Sequence, residues 1–247
     1  MTRPLPAGKA PGAGLTPSHQ SIVQAVAGII GRPRSTFERV VSRPQWGALL
    51  LATTLVGVAA GVALMATANG RQALIDQWER TAVAFGQELD DQTYARLQAL
   101  TERRAAAYAI ASAVLGGPVL TLAAAALLKV TFRGAASFRQ VLAVTTHAGI
   151  ILAARQVTAA PIGYARESTS SATSLGSLFS RLDEASPLAR VLGAMDLFVI
   201  WWAIVLAVGV AVLYRRRAAP LAAIFVGTYA AFAVLLAIAM VVAGGSA

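Results

Sequence analysis

Pro44 to Gly70 reads PQWGALLLATTLVGVAAGVALMATANG, a run without a single Asp, Glu, Lys or Arg. Crossing the hydrocarbon core of a bilayer takes about 20 apolar residues in a helix, so this run is long enough to span. Ala105 to Leu128 and Ala218 to Ala247 are equally free of charge. Over 247 residues the chain is 57% hydrophobic and 13% charged, with a mean hydropathy of +0.64. Soluble domains carry about one quarter charged residues. The runs are spread along the whole chain, which predicts one all-α, polytopic transmembrane helix bundle rather than a soluble domain with a single anchor.

The segments between these runs complete the plan. Residues 1–20 hold Pro4, Pro6, Pro11 and Pro17 and no periodic apolar face, and are expected to be a disordered tail. No apolar core precedes Ser21, so no cleaved signal peptide is expected. Residues 21–45 read as two short interfacial amphipathic helices. In the first, Ile22, Val23, Val26, Ile29 and Ile30 recur at helical spacing. The second is expected to start at a Ser35-x-x-Glu38 capping box, with Phe37, Val40 and Val41 apolar and Arg39 and Arg43 basic.

The transmembrane domain, residues 46–242, is expected to contain five spans at about 46–68, 105–129, 140–161, 191–214 and 218–242. Trp46 suits the interface at the start of the first, and Gly57-x-x-x-Gly61 offers a close-packing face. Between spans one and two, Arg71 to Arg104 mixes both signs of charge and reads as two amphipathic helices broken near Asp90. Gly116, Gly117 and Pro118 lie in the middle of span two and predict a helix kink, because proline removes a donor and clashes one turn back. Ionisable groups fall well inside only two spans: His147 and Arg155 in the third, Asp196 in the fourth.

Five spans place successive loops on alternate sides. With the N-terminus in the cytoplasm, that side receives Arg3, Lys9, Arg32, Arg34, Arg39, Arg43, Lys129, Arg133, Arg139 and Arg215-Arg216-Arg217 against Glu38 alone. The basic triplet fills a very short loop, which favours a cytoplasmic N-terminus and an extracytoplasmic C-terminus. The net charge of +10 is therefore a topology signal, with no basic helix or aromatic-basic motif pointing to nucleic acid. Lys9 and Lys129 are the only lysines in an Ala- and Arg-rich chain, a bias that fits a high-GC bacterial genome and hence the inner membrane.

Several short stretches resemble one family. They are Pro33-Arg34-Ser35-Thr36-Phe37, Arg43-Pro44-Gln45-Trp46, Gly117-Pro118, Ala135-Ala136-Ser137-Phe138-Arg139-Gln140, Thr173-Ser174-Leu175-Gly176, and Asp196-Leu197-Phe198 with Trp201. Together the chain resembles the bacterial branch of the Yip-one domain family (Ypt-interacting protein type), five-span integral membrane proteins. The resemblance implies a membrane protein without established catalysis. The vesicle-traffic role of its eukaryotic relatives does not carry over to a bacterium. Arg155, interrupting an otherwise apolar span, departs from the pattern of an inert bundle.

Chemistry is sparse. There is no cysteine, no H-E-x-x-H and no Walker-type glycine loop, and a lone acid inside the spans cannot form a carboxylate pair. No catalytic, cofactor-binding or metal-binding residues and no cofactor are expected; His147 reads as a helix-to-helix hydrogen-bonding group. The expected role is a non-catalytic membrane scaffold or partner-binding protein, contacting the lipid bilayer and a protein partner or a second copy. The alternative is a transporter or transporter accessory subunit using the polar groups of spans three and four. Depth singles out one pair. At 1.5 Å per residue, Arg155 rises roughly 22 Å along span three, and Asp196 lies roughly 8 Å below the outer end of span four, so an Arg155–Asp196 ion pair is expected if the two helices are neighbours.

Overall fold

A computed structural model of the protein describes residues 22–84, 86–87, 90–166, 173–178 and 186–244. The expected disordered tail lies outside them. The described residues form a helical bundle: α1 (Ile22–Gly31), α2 (Pro33–Ser42), α3 (Gly47–Ala66), α4 (Ala68–Ala84), α5 (Asp91–Val114), α6 (Leu120–Thr131), α7 (Phe138–Ala148), α8 (Ile150–Arg166), α9 (Pro187–Ala194), α10 (Leu197–Leu213) and α11 (Ala218–Gly244).

Four helical stretches are long and apolar enough to cross a membrane: Gly47–Ala66, Asp91–Thr131, Phe138–Thr158 and Ala218–Val242. The least hydropathic of them is the most enclosed, with 56% of its most apolar 18 residues buried against 11–17% for the other three. In lipid, the helices rich in leucine and valine can face outward while the helix with small and polar residues packs between its neighbours. Thus Leu51, Leu55, Leu120, Leu127, Phe232 and Leu235 lie exposed, whereas every residue from Val141 to Ala148 is buried. The buried Thr145 hydroxyl donates back to the Val141 and Leu142 carbonyls, so its burial leaves no bond unmade.

The core lies where α2, α7 and α10 meet, and α11 and α6 close its flanks. Phe37, on α2, is fully buried against this centre, as is Ile29 of α1. Residues 21–45 were expected to lie on the membrane by their apolar faces. The structure turns the apolar face of α2 into the bundle instead, because α7 and α10 supply a close-packed site that lipid cannot match. Of the large apolar residues of α1, Ile22, Val23 and Ile30 remain outward.

Local chemistry also revises several boundaries. The capping box expected at Ser35 and Glu38 does not form. Pro33 opens α2, with its missing N–H at a position that needs none, so Ser35 falls inside the first turn and donates to the Arg32 carbonyl, while Glu38 pairs with Arg34. A capping box does form at Ser137 and Gln140, at the start of α7. The pair of helices expected from Arg71 to Arg104 is present as α4 and the first half of α5, and Asp90 caps the second by accepting from the Thr93 N–H. That second helix does not stop at Ala105. With no proline or glycine before Gly116, it runs straight into the apolar run, giving a continuous helical stretch of 41 residues. Such a stretch is roughly 60 Å long, about twice a hydrocarbon core, and its charged residues, apart from Lys129 near its end, fall in the first half.

At Gly116, Gly117 and Pro118, where a kink is expected, the stretch adopts a π-helical turn, Leu115–Val119, with Pro118 inside it. The wider turn accommodates the missing proline donor within the helix. The glycine pair of α3 is a packing face: a Cβ at Gly61 would sit 3.3 Å from that of Ala109 on α5, and one at Gly57 would meet the Gln156 side chain of α8. The triplet loop is a tight turn in which Arg215 takes a φ of 52° and the Arg216 N–H donates to the Ala211 carbonyl.

Candidate functional site

Asp196 begins a helix rather than lying within one. It was expected about one and a half turns inside a span starting near Val191. In the structure α9 ends at Ala194, Met195 and Asp196 are extended, and α10 starts at Leu197. An aspartate followed by a wholly apolar run is a helix-start signal, and its side chain bonds more strongly to free helical N–H groups than it could inside a helix. Its Oδ1 accepts from the Phe198 N–H at 2.8 Å and from the Val199 N–H at 3.4 Å.

The other carboxylate oxygen faces α8. Arg155 Nε donates to Asp196 Oδ2 at 2.7 Å, and the Thr173 hydroxyl donates to the same oxygen. The Asp196 side chain is 9% exposed and the Arg155 side chain 39%, so the pair has one buried end and one end open to its surroundings. The structure therefore brings together Arg155 and Asp196, and it does so at the mouth of α10 rather than along two facing helices.

Backbone bonds hold the same place. Leu175 N–H donates to the Met195 carbonyl at 2.7 Å and Leu197 N–H to the Thr173 carbonyl at 3.0 Å, an isolated antiparallel bridge between Ser174 and Asp196. The contact is tight: a Cβ on Gly176 would lie 3.1 Å from the Gly193 backbone. From α11, the Tyr229 hydroxyl accepts the Asp196 N–H at 3.0 Å and donates to the Ala194 carbonyl at 3.1 Å. Through its carboxylate Asp196 thus ties α8, the 173–178 segment and α10 together, and through its backbone N–H it adds α11 to the same node.

Thr173 and Tyr229 carry no sign of this in the sequence. Thr173 belongs to the Thr-Ser-Leu-Gly stretch, whose polarity suits any loop, and Tyr229 sits in a charge-free run where an aromatic residue is ordinary. Their roles depend on chain segments far apart in sequence.

His147 lies elsewhere. It is buried on α7, and its Nδ1 is 2.8 Å from the Ala143 carbonyl of its own helix, so this nitrogen is satisfied within the helix rather than across to a neighbour. The ring lines a cleft between α1, α2 and the start of α3. No group of three or more His, Cys, Asp or Glu side chains placed to hold a metal ion occurs among the described residues.

A sequence profile for the Yip1 domain matches residues 27–241. No curated protein and no solved structure matches the chain.

Proposed function

Since the chain belongs to the Yip1 domain family, we propose that it is a multi-pass inner-membrane protein of bacterial type that acts as a non-catalytic scaffold or partner-binding protein. The five-span reading adds α10 to the four longer stretches. Its 17 residues reach about 25 Å, at the short end of what crosses a bilayer. The basic N-terminal lead and the Arg215-Arg216-Arg217 turn favour a cytoplasmic N-terminus and an outer C-terminus.

The observation that carries the scaffold reading is the saturation of Asp196. Both carboxylate oxygens are committed, one to two backbone N–H groups and the other to Arg155 and Thr173. A carboxylate that couples ion movement must exchange its partners, whereas this one braces three chain segments. A transporter or accessory role is the second reading, favoured by the π-helical turn in the second long stretch and by the open face of Arg155. In-cell crosslinking with mass spectrometry of the full chain tests the choice. A scaffold yields one dominant protein partner, or the chain itself, crosslinked in stoichiometric amount. Solute flux in reconstituted vesicles, abolished by Asp196→Asn, would replace the scaffold with the transporter.

A further inference from the structure

Two clefts flank Trp46, the residue that caps α3 where the chain enters its first long apolar helix. The first, of about 550 Å³, lies between α1, α2 and α3 and is lined by Arg39, Arg43, Ser42 and His147 among others, with no Asp or Glu among the described residues that line it. The second, of about 650 Å³, is mostly apolar, with Leu122, Phe138 and Leu142 in its walls and Arg139 on its border. Gln45 and Trp46 line both, so the two adjoin on either side of these residues.

The charges of the first cleft are unspent. Arg39 reaches only the Ser35 carbonyl and the Thr36 hydroxyl, each at 3.4 Å, and Arg43 has no side-chain partner among the described residues. The ion pairs found among the described residues are elsewhere, at Arg34–Glu38 and Arg155–Asp196. Arg139 Nε donates to the Pro44 carbonyl at 3.2 Å, which brings the start of α7 to the level of the start of α3. The basic groups therefore stand where apolar helices begin, a position that suits lipid phosphates, and the apolar cleft lies beside them at Trp46.

We propose that the paired clefts around Trp46 hold one anionic phospholipid, its phosphate between Arg39 and Arg43 and an acyl chain in the groove of Leu122, Phe138 and Leu142. A free phosphate ester satisfies the first cleft alone; a lipid satisfies both. The site is stoichiometric, unlike the general attraction of a basic surface to an anionic membrane, and it does not depend on whether the protein is a scaffold or a transporter.

Native mass spectrometry of the full chain in mild detergent tests this, with phosphatidylglycerol and phosphatidylcholine of matched acyl chains added separately. The expected result is one tightly retained phosphatidylglycerol, favoured at least about tenfold over phosphatidylcholine. Two arginines near a headgroup account for about 30-fold in affinity, so Arg39→Gln with Arg43→Gln should weaken retention by about that factor. Arg215→Gln with Arg216→Gln makes the same charge change away from the clefts and should alter it less than about threefold. Leu122 is exposed, so Leu122→Trp fills the groove at little cost to folding and should expel the lipid. Equal losses from the two arginine pairs, retention undiminished by Leu122→Trp, or displacement by millimolar glycerol phosphate would each overturn the assignment. The last outcome would identify a soluble phosphate site instead.

Discussion

Replacing Asp196 by Asn changes one atom of the node and gives a sharp test of it. Asn is as good a helix cap as Asp, so the bonds from Phe198 and Val199 to Oδ1 survive. The other oxygen becomes an NH₂ group facing two donors, Arg155 Nε–H and the Thr173 hydroxyl. The hydroxyl can rotate and accept; the guanidinium has no acceptor to offer. A charge-assisted bond contributes about 1.5–3 kcal/mol, and the 39% exposure of Arg155 lets its head turn partly to other partners, which places the loss near 2 kcal/mol. Arg155→Leu leaves a buried carboxylate without its cation, but three donors still hold it, so the loss should be about 2–3 kcal/mol, below the usual cost of breaking a buried pair. In the double variant the amide donates to Thr173 and no charge remains. Its loss should also be about 2–3 kcal/mol, against about 4–5 for the sum of the singles, a coupling of about 2 kcal/mol. Equilibrium unfolding in mixed micelles measures all three. Losses that add to within about 0.5 kcal/mol would refute the node as an energetic unit.

Three further outcomes are expected. Tyr229→Phe removes the hydroxyl bridging Asp196 N–H and the Ala194 carbonyl and should cost about 1 kcal/mol in the same unfolding assay, with no loss meaning that α11 is not anchored there. Gly209→Ala places a methyl 2.6 Å from Val144 Cγ1 and 2.9 Å from the Phe37 ring, an overpacking that should cost about 1–3 kcal/mol and speed hydrogen exchange across α2; unchanged exchange would mean that α2 is not seated on α10. Reporter fusions after Lys129 and Arg217 should report the cytoplasm and a fusion at Ala247 the opposite side, and a cytoplasmic signal at Ala247 would remove one of the five spans.

The sequence by itself determined the class of the molecule. Charge-free runs at Pro44 to Gly70, Ala105 to Leu128 and Ala218 to Ala247 leave a helical bundle in lipid as the natural outcome, because backbone groups in hydrocarbon must bond within their own helix. The Arg155–Asp196 pairing was legible too, since a fixed rise per residue turns sequence position into depth and an unpaired charge at depth is costly. Helix ends were less legible. Apolar content does not distinguish Val191 from Leu197, and only the competition of Asp196 for free N–H groups puts the boundary between α9 and α10. Tertiary structure alone decided the rest. The apolar stripes of α1 and α2 suit a membrane surface and a protein groove equally, and the groove wins because Gly209 lets Phe37 approach α10 closely. Thr173 and Tyr229 join the node only after the chain folds back, since a polar residue signals its capacity to bond but not the partner 23 or 33 positions away.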